Sequence, residues 1–226
     1  MTAQRTFETD VLPTSAGDVA ITFLGHGSLL LAWNGKQIYL DPYGQVADYA
    51  LLPKADLVLI THEHFDHCDL QALAHVRTPQ TQIVLAPVCA QKVEGGIVMG
   101  NGDERTVEGI AIAAVPAYNV VHKRDNGQPF HPQGVGNGYV LTLGDTRIYF
   151  AGDTENVSEM KQLQGIDYAF LPMNLPYTMT PEMVAAAARS FRPRVVYPYH
   201  YGQTNTHRLV ELLHGEGIEV RIRQLA

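Results

Sequence analysis

Residues 57–69 read Leu57-Val58-Leu59-Ile60-Thr61-His62-Glu63-His64-Phe65-Asp66-His67-Cys68-Asp69. Four apolar residues in unbroken succession predict a strand buried on both faces. The run then ends abruptly in three histidines and several acids. Imidazoles and carboxylates gathered at the end of a buried strand are costly unless something compensates them. A divalent cation is the simplest compensation. His62 and His64 are two residues apart, so in extended chain they point the same way and can grip one ion. Asp66 and His67 follow as the chain turns, placed to hold a second. The spacing differs from the i, i+4 helical pair of zinc proteases.

One strand end cannot complete such a site, and three others in the chain end alike. Ile148-Tyr149-Phe150-Ala151-Gly152-Asp153 is an apolar run closing on a carboxylate. Arg194-Val195-Val196-Tyr197-Pro198-Tyr199-His200 closes on a histidine, and Ile38-Tyr39-Leu40-Asp41 on another acid. Strand ends are where ligand sites form in layered α/β folds, so four such endings converge on a metal centre.

Around these segments, strand patterns recur at Ala20–Leu24, Leu29–Trp33, Gln37–Leu40, Gln82–Leu85, Ile110–Val115, Tyr139–Leu143, Arg147–Phe150, Tyr168–Leu171, Val195–Tyr197 and Glu219–Arg223. Helices are expected at Asp69–Val76, Pro87–Val93, Ser158–Leu163, Thr180–Phe191 and Thr206–His214. The fourth has the clearest start: Thr180 as N-cap, Pro181 at the first helical position and Glu182 in the first turn. No Pro/Gly/Ser-rich linker divides residues 1–226, which predicts a single domain. The longest stretch without a pattern, Asn119–Gly136, is polar and of a length typical of functional or mobile loops.

A faint internal repeat is present. Gly25-His26-Gly27 leads through Leu29–Leu31 to Ile38–Asp41, and Gly136-Asn137-Gly138 leads through Val140-Leu141 to Ile148–Phe150 and Asp153. Each is followed by another apolar strand, Asp56–Ile60 and Asp167–Leu171. Two similar halves suggest two stacked sheets with a site between them.

Composition narrows the function. Lys and Arg number 16 against 23 Asp and Glu, a formal net charge of −7 that disfavours a nucleic-acid partner. At 46% hydrophobic residues, whole-chain disorder is excluded. No apolar run approaches the roughly 18 residues of a membrane span, and the opening MTAQRTFETD has no signal-peptide core. A cytoplasmic enzyme with no membrane partner is the expectation. The two cysteines, Cys68 and Cys89, imply no disulfide framework and read as small buried thiols. Oligomeric state is open, with a homo-oligomer as the default.

The motif His62-x-His64-x-Asp66-His67 resembles the signature of the metallo-β-lactamase superfamily, and Asp41, Asp153 and His200 fall in that superfamily's order. The likeness runs from about Phe23 to Tyr201. Gly25-His26-Gly27-Ser28, Ala151-Gly152-Asp153-Thr154 and Pro198-Tyr199-His200-Tyr201 resemble its branch of small single-domain bacterial hydrolases, relatives of ascorbate-6-phosphate lactonase among them. The resemblance implies an α/β fold, the four-layer αββα sandwich with two mixed β-sheets. It implies a dinuclear centre in which His62 and His64 bind one metal, Asp66, His67 and His200 bind the other, and Asp153 bridges them. Asp41 would orient a ligand histidine. The chain departs from the pattern once. Asn119 stands where the superfamily offers the first metal another histidine, and an amide oxygen is a poorer ligand than imidazole. Asn119 binds weakly, or His131 or His122 comes in from the following loop, or the first position is weak; His131, flanked by Phe130 and Pro132, is the favoured loop histidine.

The implied activity is metal-dependent hydrolysis, with a metal-activated water or hydroxide attacking a small lactone, ester or phosphodiester. Two divalent ions are expected, zinc first, with manganese or iron as alternatives. Asp66 is the candidate to orient or deprotonate the nucleophile. A bound water, His131 or Tyr177 is the candidate proton donor. Asn119 and Tyr177 are candidate substrate contacts, and Lys123 and Arg124 would attract an anionic substrate. His26 has two readings, facing the site or hydrogen-bonded within its turn. Two rival functions are an iron-dependent redox protein on the same scaffold and a metal-binding domain without turnover.

Overall fold

Two seven-stranded sheets make up the frame of the computed structural model, which describes residues 6–226. The first residues of the N-terminal segment read above, 1–5, lie outside the described residues. The first sheet takes its strands in chain order: β1 (Thr9–Leu12), β2 (Val19–Gly25), β3 (Ser28–Trp33), β4 (Lys36–Leu40), β5 (Leu57–Ile60), β6 (Gln82–Leu85) and β7 (Ile97–Val98). The second holds β8 (Glu104–Val107), β9 (Ile110–Ala117), β10 (Gly136–Leu143), β11 (Thr146–Phe150), β12 (Tyr168–Pro172), β13 (Val195–Tyr199) and β14 (Glu219–Val220). Both sheets are mixed, and in the same way. In each, the first four strands pair antiparallel and the remaining pairings are parallel. The faint repeat in the sequence is therefore a repeat of topology: β3, β4 and β5 correspond to β10, β11 and β12.

Side-chain alternation sorts the strands into layers. Leu57 and Leu59 of β5 point into the core between the sheets, together with Phe150, Phe170 and Tyr197 of the second sheet. Val58 and Ile60 point outward and pack with Leu73 and Val76 of α1 (Leu70–Val76). On the other side, Val140, Tyr149, Ala169 and Val196 meet Val184 and Ala188 of α2 (Pro181–Phe191) and Leu209 of α3 (His207–Leu213). The result is the four-layer αββα order, helix on sheet on sheet on helix. Strands covered on both faces have no polar face, which explains their continuous apolar runs.

Helix α2 begins as its sequence requires. Thr180 Oγ1 accepts from the Met183 N–H, and Pro181 follows at the first helical position. Three expectations need correction. Pro87–Val93 makes only one 3-10 turn, Pro87–Cys89, because Ala86 offers no side-chain cap and Gly95-Gly96 follow closely. Ser158–Gln162 is likewise a 3-10 turn, starting at an uncapped Val157. The strand expected over Glu219–Arg223 pairs only at Glu219–Val220; beyond it, the Arg223 guanidinium turns to donate to Asp10. The pattern also missed β1, β7 and β8: β1 and β8 are short strands with one buried residue each, and β7 is only two residues long. No helix among the described residues is long and apolar enough to cross a membrane.

Candidate metal centre

The ends of β4, β5, β11 and β13 open on one edge of the sandwich, and the chain turns sharply at each. Asp41 and His200 directly follow their strands with φ of +42° and +45°, and His26, in the β2–β3 turn, has φ of +55°. Non-glycine residues rarely adopt this region, and such strain clusters at functional sites. Gly152, ahead of Asp153, has φ of +65°, and a Cβ there would lie 2.6 Å from the Asn137 carbonyl oxygen, so the turn admits glycine alone.

Asp41 is fully buried and organises the floor. Its carboxylate accepts from the Thr61 N–H (2.8 Å) and hydroxyl (2.6 Å), and it lies 2.8 Å from His67 Nδ1. That contact places the proton on Nδ1 and turns His67 Nε2 toward the centre. There His67 Nε2 is 3.5 Å from Asp153 Oδ1 and 3.9 Å from Asp66 Oδ2. His200 Nε2 is 3.6 Å from Asp153 Oδ2 and 3.8 Å from Asp66 Oδ2. On the other side, Asp153 Oδ2 lies 4.0 Å from His62 Nε2 and 3.2 Å from His131 Nε2. Asp153 thus stands between two groups of donors: His62, His64 and His131 on one side, and His26, Asp66, His67 and His200 on the other.

The donors fit cations. His67 Nε2, His200 Nε2 and Asp153 Oδ1 are buried and lack any hydrogen-bond partner. Orphaned buried polar atoms of this kind are rare, and three pointing into one space are what bound cations would satisfy. Electrostatics agrees. Burial drives His62 well below the ordinary imidazole value and brings His200 down to about 4, so both present lone pairs at neutral pH. Burial also opposes the charge on His67, but Asp153 and Asp41 overcome it and raise the group to about 9. In Asp66, burial pushes upward, and the His26 hydrogen bond with the nearby imidazoles brings the carboxyl down to about 2.

Every histidine and acid of the expected ligand set reaches this centre, and one other expected role changes. His131, the loop histidine favoured for the first position and also a candidate acid, has its Nε2 among the donors with His62 and His64. Asn119 was a candidate substrate contact, but it is buried and fully engaged: Oδ1 accepts from the His131 N–H (2.9 Å) and lies 2.7 Å from His131 Nδ1, while Nδ2 donates to Glu155 (3.1 Å) and the Tyr177 carbonyl (2.9 Å). It has no atom left for a substrate or an ion. Tyr177 sits at the rim, 45% exposed, with its ring edge-on to Phe130 at 5.0 Å. Of the two readings of His26, the structure shows the one facing the site: Nε2 is 3.0 Å from Asp66 Oδ2 and the ring lies 3.7 Å from that of His200. Sequence reasoning missed Glu155 altogether, and its only signal was an acid two residues past Asp153.

Known proteins share this fold. The β-lactamase superfamily domain matches residues 20–200. A UPF0173 metal-dependent hydrolase of Thermococcus kodakarensis is 34% identical over 196 residues, covering 81% of this chain and 84% of the relative. A crystal structure of a candidate metal-dependent hydrolase from Parabacteroides distasonis superposes with a TM-score of 0.94 at 46% identity, covering 98% of this chain and all of that one. A metallo hydrolase of Ignicoccus hospitalis gives 0.75 at 26% identity, over 92% and 96% of the two chains. CmlA, a diiron β-hydroxylase of Streptomyces venezuelae, shares the fold alone: TM-score 0.70 at 15% identity, over 95% of this chain and 54% of that one. With this sandwich, this His/Asp cluster and these relatives, the chain belongs to the metallo-β-lactamase superfamily, among the UPF0173 metal-dependent hydrolases.

Proposed function

We propose that this chain hydrolyses a small substrate carrying an anionic group, a lactone, ester or phosphodiester, at a dinuclear centre held by His62, His64, His131, Asp66, His67, Asp153 and His200. The observation that supports it best is the convergence of His67 Nε2, His200 Nε2 and Asp153 Oδ1, all buried and without partners. Imidazole with carboxylate suits zinc first, and manganese or iron next. When bound, such ions lower the pKa of a coordinated water toward ~7 and polarise the bond to be broken.

The chain's own residues supply the rest. Asp66, held ionised by His26 and partly open to solvent, is placed to orient the nucleophile and take its proton. Asp41 fixes the His67 tautomer. Phe130 lines the cavity beside His62, His64 and Asp153, with the Tyr177 ring edge-on against it and the Arg124 guanidinium 5.1 Å over its ring. Lys92 donates to the carbonyl of Glu63, which lines the same cavity. Cations this near the cavity favour an anionic substrate.

Elemental analysis of protein purified without added metal, followed by a panel of lactones, esters and phosphodiesters, tests the reading. Bound transition metal and turnover abolished by His67→Ala are expected. Full metal occupancy with no turnover across the panel would overturn hydrolysis in favour of a binding role.

A further inference from the structure

We propose that Glu155 is a positioning residue that, through Asn119, fixes the ring of His131 and so assembles the His62–His64–His131 position. The inference rests on the metal-centre reading above and assigns a function to a buried acid that this reading leaves unused.

Glu155 has no exposed surface. Three consecutive backbone N–H groups converge on its carboxylate: Val120 and Val121 donate to Oε2 at 2.7 and 2.6 Å, and His122 donates to Oε1 at 2.7 Å. His122 Nδ1 lies 2.6 Å from the same Oε1, which also accepts from Asn119 Nδ2 at 3.1 Å. A buried carboxylate needs such partners. Here they all come from the four residues that carry the chain out of β9 and into the loop bearing His131. The Glu155 N–H in turn donates to the Tyr118 carbonyl (2.9 Å), and the Tyr118 N–H donates to Thr154 Oγ1 (3.0 Å), which ties this exit to the segment carrying Asp153.

The consequence for His131 follows from donor and acceptor chemistry. Asn119 Nδ2 faces two acceptors, Glu155 Oε1 and the Tyr177 carbonyl, so the amide has one possible orientation. Its Oδ1 then faces His131, accepting from the backbone N–H, with ring Nδ1 2.7 Å away. An amide oxygen only accepts, so Nδ1 carries a proton and Nε2 is turned toward the centre, 3.2 Å from Asp153 Oδ2. There Nε2 donates to the Asp153 carboxylate when it is protonated and offers its lone pair to a cation when it is not. Glu155 thus sets the amide, the amide sets the tautomer, and the tautomer makes His131 a ligand. An asparagine where the superfamily places a histidine is accordingly one part of a device that brings in a histidine from twelve residues further on.

Cobalt(II) titration of the full-length chain after chelator treatment, followed by visible absorption and bound-metal stoichiometry, tests this. Glu155→Gln swaps an acceptor for a donor against these N–H groups. It should weaken by about 10- to 100-fold the binding that His131→Ala removes, leaving the binding that His200→Ala removes unchanged. Glu155→Asp, which keeps the charge, should recover part of the loss and serves if the Gln variant folds poorly by circular dichroism. The loss in Asn119→Ala/Glu155→Gln should be smaller than the product of the single losses, because one residue acts through the other. Unchanged cobalt binding in Glu155→Gln, equal weakening at both positions, or fully multiplicative losses would each overturn the proposal. Absence of any cobalt binding by the wild-type chain would instead sink the metal-centre reading, and this inference with it.

Discussion

The two groups of donors that meet at Asp153 are built differently. His26 lies in the β2–β3 turn, His200 directly follows β13, and His67, in the turn between β5 and α1, is locked from below by Asp41 at the end of β4. The sheets thus hold these positions. In the other group, His62 and His64 leave β5, but His131 comes from the long loop between β9 and β10, and its ring orientation depends on Asn119. One half of the centre belongs to the frame, and the other half is completed by a loop that must be held in place. Framework ligands should resist local perturbation and fail together with the fold. The loop ligand should fail alone.

His67→Ala should cause the largest change. It removes a donor and leaves Asp41 and Asp153 buried without their partner, at a cost of about 3–5 kcal/mol. Thermal unfolding should show a lower Tm alongside lost turnover. His131→Ala should cost metal affinity without that loss of stability, because the β9–β10 loop stays pinned by Glu155. A Tm drop equal to that of His67→Ala would erase the distinction between frame and loop. Gly27→Ala should act on the frame side alone. Its Cβ would lie 3.1 Å from His67 Cε1, an overpacking cost of about 1–3 kcal/mol, and the cation near His62 and His64 should stay bound.

Protons separate the groups as well. In the metal-free chain His67 is raised to about 9, whereas His62 and His64 are lowered, chiefly by burial. A raised histidine stabilises the fold fully below its unfolded value near 6.5, and that contribution is lost as pH rises through 9. The metal-free chain should therefore lose stability between pH 7 and 9. A cation bound beside His67 must displace its proton, so near pH 7 binding there should release about one proton. Calorimetry in buffers of different ionisation enthalpy measures this. Equal proton release on filling either position would contradict the assignment.

The same division governs what could be read from sequence. Strand-terminal ligands are legible because a buried strand ending in His or Asp breaks a hydrophobic pattern, as at His62, Asp153 and His200. Two stacked sheets were legible from the repeat of these runs, and the four-layer order from the family resemblance. Edge elements such as β8, Glu104-Arg105-Thr106-Val107, carry mostly exposed side chains and bury a single apolar residue, too few to form a pattern. Asn119 marked a departure without revealing its meaning, since the amide's role depends on what folds around it. Glu155 was invisible for a physical reason: its main partners are backbone N–H groups, which every residue but proline provides and no sequence pattern displays.

The smallest expected effect lies at the entrance, outside both groups. Tyr177 packs edge-on against Phe130, its side chain is open to solvent, and only its backbone carbonyl serves the inner network, accepting from Asn119. Tyr177→Ala keeps that carbonyl and removes the ring. If the ring touches substrate, KM should rise about 2- to 10-fold, the worth of one aromatic contact, while kcat holds, because the contact would be made equally before and during reaction. Metal content should stay at the wild-type level. A fall in kcat with KM unchanged would instead give Tyr177 a part in proton transfer and move it from the rim into the chemistry. A loss of metal would mean that the rim and the loop ligand move as one unit, and the boundary between loop and frame would then have to be drawn further out.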